Sequence, residues 1–352
     1  MSDESQKPNL QEKVANLPLS PGVYIYKDAS GSILYVGKAK KLRNRVRSYF
    51  QESRPVDGRI KTMVSKISDL EVMVTDSEAE ALILENNFIK QYEPRYNIMY
   101  RDDKSYPYIC VTADSKPRVF PTRTVLKDGS KYFGPYDSVL NMKRMLETIR
   151  KAFVLCTCAV SIKNIDQTRG IPKWHSCFDD YLQNCSGDLD TEKYQDIIKK
   201  VERLLHGKTD VLLRELKEEM QIASDALAFE EAAKVRDSYV AVERYSHKMK
   251  IVADKKVDRD IFAIGVDEEI GEACGVLFKV REGKLMSKFH RFLKNIEDLT
   301  KGEMLQSFVE DYYTGQYTAA IPDEVYLSNE LEDEEPLTQY LAQEKGKKVP
   351  IY

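Results

Sequence analysis

Two short tyrosine-bearing strands near the start of the chain limit its fold more than any other feature. Gly22-Val23-Tyr24 comes first and Tyr35-Val36-Gly37 second. Val23 and Ile25 alternate with Tyr24 and Tyr26, and Ile33-Leu34-Tyr35-Val36 is a second apolar run. Asp28, Ser30 and Gly31 lie between them, which is the pattern of a β-hairpin. Folding about that turn predicts Tyr24 close to Tyr35 across the ladder, as a packing pair or as part of a site. Lys38 follows the second strand directly. A helix is predicted from near Ala39, where Leu42, Val46, Tyr49 and Phe50 form an apolar stripe with Arg45 at its edge. Between Lys38 and Lys61 stand nine basic residues, among them Lys40, Lys41, Arg43 and Arg47, against two acidic ones. That local excess suits a polyanion even in a chain whose formal net charge is −3.

Ser77-x-x-Glu80 reads as a capping box that opens a second helix. Residues 79–84 are apolar almost all round, which predicts burial. Glu85 shares a face with Ala81, Leu82, Phe88 and Ile89. A carboxylate in such a place is rarely buried unless it is paired or holds a metal. Arg45 or Lys90 could supply the pair. Alternatively, one carboxylate suits Mg²⁺ or Mn²⁺, ions that keep several waters and bind through few protein oxygens.

At 352 residues, with 42% hydrophobic content, the chain is long enough for two or more domains. No apolar run approaches the roughly 20 residues of a membrane span, and residues 1–11 are polar, so a cytoplasmic protein is expected. The overall expectation is an α+β multidomain chain. It would hold a small antiparallel sheet flanked by helices (1–105), a connecting segment with clustered cysteines (106–190), a helical region (191–250) and a C-terminal α/β unit (257–352).

The first hundred residues resemble the GIY-YIG nucleases, and the wording is closest to the N-terminal nuclease of the UvrC family. Leu19 to Tyr24, Tyr35 to Lys40 and Glu80 to Glu85 carry the resemblance, with Pro94-Arg95-Tyr96-Asn97 and Asp102 to Pro107. The resemblance implies that Tyr24 and Tyr35 supply a general base and its partner. It further implies that Lys38 and Arg45 contact phosphate, Glu85 binds the metal and Asn97 completes the site. Which tyrosine is the base stays open, as does Tyr49, which fits either the site wall or the core. Lys38, Lys40, Lys41, Arg43 and Arg47 are the expected DNA contacts.

Four cysteines, Cys156, Cys158, Cys177 and Cys185, lie in one stretch. The family places four thiolates here around an iron–sulfur cluster of the [4Fe-4S] type. This chain departs from that pattern. Its loop after Cys158 is longer, and Ser186-Gly187-Asp188-Leu189 stands where a fourth cysteine is expected. Cluster, zinc and no metal are all open readings. Cys110 and Cys274 are expected to pack as small apolar residues.

Farther on, a helix is predicted to 206 with Gly207 as its stop, then a hairpin of two amphipathic helices joined near Leu227. Met220-x-x-Ala223 and the run from Leu227 to Asp237 resemble the UVR motif, which in the family docks on the UvrB-type helicase subunit. Phe229, Glu230, Ala233 and Arg236 are the expected contacts. Beyond Val257 come strands at 261–266, 273–280 and 285–292, a helix at 304–313, a strand at 324–327 and a helix at 336–345. That order resembles the domain after the UVR hairpin. No Asp/Asp/His set stands out, so the RNase H-like nuclease and the helix-hairpin-helix region of long members are expected to be missing.

The function expected from the whole is metal-dependent incision of damaged double-stranded DNA, 3′ of a lesion, in nucleotide excision repair. A non-catalytic adaptor and a GIY-YIG nuclease of another pathway are the competing readings.

Overall fold

The computed structural model describes residues 10–51, 58–101, 106–114, 117–126, 128–155, 191–248, 256–315 and 320–352. The cysteine stretch 156–185 falls outside them. The chain divides into two compact units, one of residues 1–103, 260–277 and 290–352, the other of 104–259 and 278–289.

The first unit opens with α1 (Leu10–Ala15), β1 (Gly22–Lys27), β2 (Ile33–Ala39), α2 (Leu42–Tyr49), α3 (Gly58–Lys66), β3 (Asp69–Val74), α4 (Glu78–Tyr92) and β4 (Met99–Arg101). β1 is the central strand of an antiparallel sheet ordered β2-β1-β3. The hairpin turn forms as its residues dictate. Asp28 Oδ1 accepts from the backbone N–H groups of Ser30 and Ser32, and Gly31 takes a φ of 86°. Alternation along β1 and β2 gives the sheet two apolar faces. Tyr24, Tyr26, Leu42, Val46 and Tyr49 cluster on one, and Val23, Ile25, Val36 and Ala81 on the other. α2 therefore covers one face and α4 the other.

The first helix after the hairpin starts later than its stripe suggests. Lys38 and Ala39 remain in β2 because they pair with Val23 and Gly22, and the helix begins at Leu42. On α4, Ser77 caps Glu80 N–H at 3.1 Å, but Glu80 Oε2 accepts from the N–H of Asp76 rather than of Ser77. The reciprocal half of the expected box is displaced by one residue. Ile83 is exposed, so the apolar run 79–84 is not buried all round.

The second unit begins with β5 (Tyr108–Val111), β6 (Val119–Thr122) and β7 (Lys131–Phe133), an antiparallel sheet ordered β6-β5-β7. α5 (Val139–Ala152) packs its Met142, Met145, Leu146 and Ile149 into one core with α6 (Thr191–Leu205). α7 (Thr209–Asp225) and α8 (Phe229–Lys248) follow as an antiparallel hairpin. Gly207 ends the preceding helix with a φ of 78°. The α7–α8 turn passes through Leu227 at a φ of 57°, a conformation that glycine takes more readily. Residues 106–155, expected only to connect, thus carry a sheet and a long amphipathic helix.

β8 (Arg259–Asp267), β9 (Glu272–Arg281) and β10 (Lys284–Lys294) form a meander, followed by α9 (Lys301–Thr314), β11 (Glu324–Leu327) and α10 (Glu335–Lys345). These strands make a five-stranded sheet ordered β11-β8-β9-β10-β4. Its fifth strand comes from the tail of the N-terminal part, where Tyr100 pairs with Leu293. Gly275 lets the ring of Phe308 lie against the sheet, since a Cβ there would fall 2.6 Å from it. Asp267 accepts from the N–H groups of Glu269 and Ile270, which closes the turn after β8.

A full capping box at Thr300 and Glu303 fixes the start of α9. Thr300→Ala should cost about 1 kcal/mol. Hydrogen exchange at the first turn of α9 should then accelerate about fivefold, with other helices unchanged.

Candidate active site

The tyrosine hairpin gathers four phenols rather than two. Tyr24 stands opposite Gly37, and Tyr35 opposite Tyr26. Tyr24 and Tyr35 are therefore diagonal neighbours, with ring centroids 6.1 Å apart, and the direct partner of Tyr35 is Tyr26 at 6.4 Å. Tyr49 of α2 closes the group, its Oη 2.9 Å from that of Tyr24. The two phenols lie close across the ladder as expected, as diagonal neighbours on one face rather than as directly opposed residues. Gly37 makes the arrangement possible. A Cβ there would lie 2.4 Å from Tyr24 Oη, so any other residue would displace the phenol. Gly22 likewise lets β3 approach, its would-be Cβ only 2.2 Å from the carbonyl oxygen of Met73.

Arg45, exposed on α2, sets its guanidinium 5.5 Å from the centroid of Tyr49. Burial pushes the phenols of Tyr24 and Tyr35 well above the usual range. Charge on Tyr49 pushes in the same direction, and Arg45 opposes it. Tyr26, which sequence reading did not single out, is raised by burial too, and its Oη has no hydrogen-bond partner among the described residues.

Lys38 and Glu85 meet at the end of the hairpin away from its turn. The backbone N–H of Lys38 donates to Glu85 Oε1 at 2.9 Å, and Lys38 Nζ lies 3.2 Å from Oε2. Both side chains are about 13% exposed. Neither Arg45 nor Lys90 is the partner of Glu85, because Lys90 reaches Asp311 instead. A further group, absent from the sequence reading, completes this cluster. Glu310 of α9 accepts from Lys38 Nζ at 2.7 Å. Burial alone would lower the Lys38 ammonium, but Glu310 and Glu85 more than offset it and hold it above the usual lysine range. Glu310 is itself raised, by burial first and also by Glu85, against the pull of Lys38.

Asn97 joins the site indirectly. Its Oδ1 accepts from the N–H of Val36 at 3.0 Å and its Nδ2 donates to the carbonyl of Val36 at 2.8 Å. Its side chain is spent on holding the edge of β2 beside Tyr35 and Gly37. Of the expected DNA contacts, Lys41 is exposed and has no partner among the described residues. Lys40 is shared between Glu78 and Glu335. Arg43 and Arg47 donate to the carbonyls of Leu17 and Ala15, which tie α2 to the chain after α1.

For a hard divalent cation the donor set is one carboxylate, Glu85, whose charge also helps raise the Tyr35 phenol. Among the described residues no three His, Cys, Asp or Glu side chains cluster as a metal cage. A single carboxylate fits Mg²⁺, which retains waters and needs no all-protein cage.

Comparison with known proteins gives one family along the whole chain. A model of the UvrC-like GIY-YIG domain matches residues 20–98, and one of the UvrC/Cho excinuclease middle domain matches 106–204. The UvrB/uvrC motif matches 210–243, and the UvrC ribonuclease H-like domain matches 258–352. UvrABC system protein C of Salinibacter ruber is 48% identical over 97% of this chain and 55% of that protein. The chain belongs to the UvrC family. The same protein of Chlorobaculum tepidum is 43% identical over 95% of this chain and 53% of its own length. The chain thus spans about half the length of the curated relatives it matches. The magnesium-bound GIY-YIG N-terminal endonuclease domain of UvrC from Thermotoga maritima is 41% identical, covers 26% of this chain and 99% of its own, and has a TM-score of 0.24.

The match over 258–352 corrects the expectation that an RNase H-like domain is missing. The meander β8–β10 with α9, β11 and α10 belongs to that domain. The succession of strands and helices after Val257 carried the signal, although no Asp/Asp/His set stands out in it. The expected cysteine ligands Cys156, Cys158, Cys177 and Cys185 lie outside the described residues, while Cys110 is buried and Cys274 partly so. No helix among the described residues is long and apolar enough to cross a membrane.

The buried phenols make a pH prediction. In the unfolded chain tyrosine ionises near pH ~10, whereas the folded site holds its protons to higher pH. The folded state then binds more protons, so stability is fully present below pH ~10 and falls as pH rises through the folded values. Denaturant unfolding followed at the hairpin should show this loss, and Tyr24→Phe should reduce its steepness.

Proposed function

We propose that this chain is a metal-dependent DNA endonuclease component of nucleotide excision repair that cuts 3′ of a lesion together with a UvrB-type helicase. The observation that carries the reading is Glu85, held twice by Lys38 and near enough to Tyr35 to raise its phenol. In this reading Glu85 holds Mg²⁺ or Mn²⁺. When bound, the ion supplies Lewis-acid polarisation of a phosphate oxygen and a more acidic water. Arg45 forks onto non-bridging phosphate oxygens. Lys38 contacts phosphate through its ammonium, which stays charged at all working pH values.

The phenols act as neutral groups. Held above their usual range, they orient and donate protons in the resting site. Tyr24 or Tyr35 serves as a base only if the local positive charge rises. Asn97 keeps the edge of β2 in register. Lys41, exposed just before α2, and Arg45, beside the tyrosine cluster, start the backbone contact to DNA, with Arg43 and Arg47 able to follow if they leave their carbonyls.

The α7–α8 hairpin is the docking element for the helicase. Phe229 is 65% exposed at its tip, next to exposed Leu227 and Ile222, and Glu230 and Arg236 flank them in solvent. A large apolar side chain left in water at a hairpin tip gains roughly 1.5–3 kcal/mol on burial. Ala233 lies half-buried one turn along and permits close approach of a partner helix.

Incision of a defined lesion duplex in the presence of the partner subunits tests the catalytic part. Glu85→Gln should abolish the cut while leaving the chain folded, and Arg45→Ala should slow it by roughly 10²-fold. Near-normal cutting by Glu85→Gln contradicts the metal role.

Phe229→Ala should weaken binding to the helicase subunit about tenfold, equivalent to about 1.4 kcal/mol. Titration of labelled helicase subunit measures this. Unchanged binding after both Phe229→Ala and deletion of 210–245 assigns docking to another surface.

A further inference from the structure

The ammonium of Lys38 is already occupied. Glu310 Oε2 accepts from it at 2.7 Å, closer than Glu85 Oε2 at 3.2 Å. Glu310 is no loose surface side chain. It is buried on α9, and its other oxygen accepts from Gln306 Nε2 at 2.8 Å. The contact is part of a wider polar seam between the first hundred residues and the RNase H-like domain. Lys90 of α4 pairs with Asp311 at 2.9 Å, Asn86 donates to Thr314, and Lys40 pairs with Glu335 of α10. Arg59 of α3 adds a hydrogen bond from its backbone N–H to Asp298 at 2.9 Å.

Every named tie in this seam is ionic or hydrogen-bonded. The exposed tie between Lys40 and Glu335 is individually weak, while Lys38, Glu310 and Asp311 are largely buried and would have to be resolvated or paired anew when the seam opens. The placement of Glu310 is also electrostatically costly, because a second buried carboxylate stands near Glu85 with only one ammonium between them. An oxygen anion on the Lys38 ammonium is the very ligand that a DNA phosphate would provide.

We propose that Glu310 is an internal stand-in for a DNA phosphate, by which α9, seated on α4, keeps Lys38 from DNA until the two helices part. The inference rests on the reading of Lys38 as a phosphate contact. It makes the RNase H-like domain a cover for the N-terminal site as well as a neighbour of it. DNA and α9 then compete for one ammonium, and whatever displaces α9 opens the site.

Affinity of the full chain for a short fluorescent duplex, followed by anisotropy at low salt, tests this. Glu310→Gln should tighten binding about fivefold, the scale of one modest ion pair. Removing any acid can raise DNA affinity, so Lys90→Ala is the deciding companion. It deletes a cation, which by charge alone would weaken binding. By loosening the seam it should instead tighten binding.

Tightening by both variants supports the proposal, as does loss of the Glu310→Gln gain in the Lys38→Ala background. Unchanged or weaker binding by Glu310→Gln overturns it, as does weaker binding by Lys90→Ala. If Lys38→Ala leaves both DNA affinity and incision unchanged, the phosphate role of Lys38 fails, and the proposal with it. If Lys38→Ala impairs them while Glu310→Gln does nothing, only the cover fails.

Discussion

The pairing of Lys38 with Glu85 is the interaction on which the rest of the site depends. It is made twice, once by backbone and once by ammonium. The backbone half fixes the end of β2 against α4, so the carboxylate cannot move without disturbing the hairpin. The side-chain half balances a charge that burial would otherwise penalise. Removing one member of such a pair leaves the other uncompensated, at a cost of about 3–5 kcal/mol when fully buried and less here, where both retain some solvent. Around that fixed point the opposite sheet face offers Tyr24, Tyr35 and Arg45. One short hairpin thereby brings a metal-type carboxylate and phosphate-type cations to the same end of a sheet.

Much of this was legible in the sequence because it is local. Alternation over residues 22–36 determines which side chains share a face, and the turn chemistry of Asp28 and Gly31 determines where the strands reverse. All six C-terminal elements, β8, β9, β10, α9, β11 and α10, lie within three residues of where periodicity places them. Register was less legible. It depends on the turn and on a bulge between Tyr26 and Lys27, so the partner of Tyr35 is Tyr26 and not Tyr24. Helix starts were also blurred. An apolar stripe says where a helix can run, but strand pairing of Lys38 and Ala39 decides where it begins.

What could not be read lies far apart in the chain. Glu310 reaches Lys38 across a separation of 272 residues, and no local pattern on α9 marks that carboxylate from its neighbours. β4, β6 and β7 have three or four residues each, too few for alternation to stand out. The RNase H-like domain shows the reverse error. The succession of strands and helices after Val257 is legible from alternation, yet without a recognisable catalytic set it does not announce an RNase H-like domain.

Metal binding to the intact chain tests the central claim most directly. Titration of Mn²⁺, followed by the loss of its free-ion electron paramagnetic resonance signal, needs neither DNA nor partner subunits. The native chain should take up an ion at a site that Glu85→Gln removes and Arg45→Ala leaves in place. Equal uptake by native and Glu85→Gln chains would contradict the claim, because the carboxylate held by Lys38 would then not be what holds the metal.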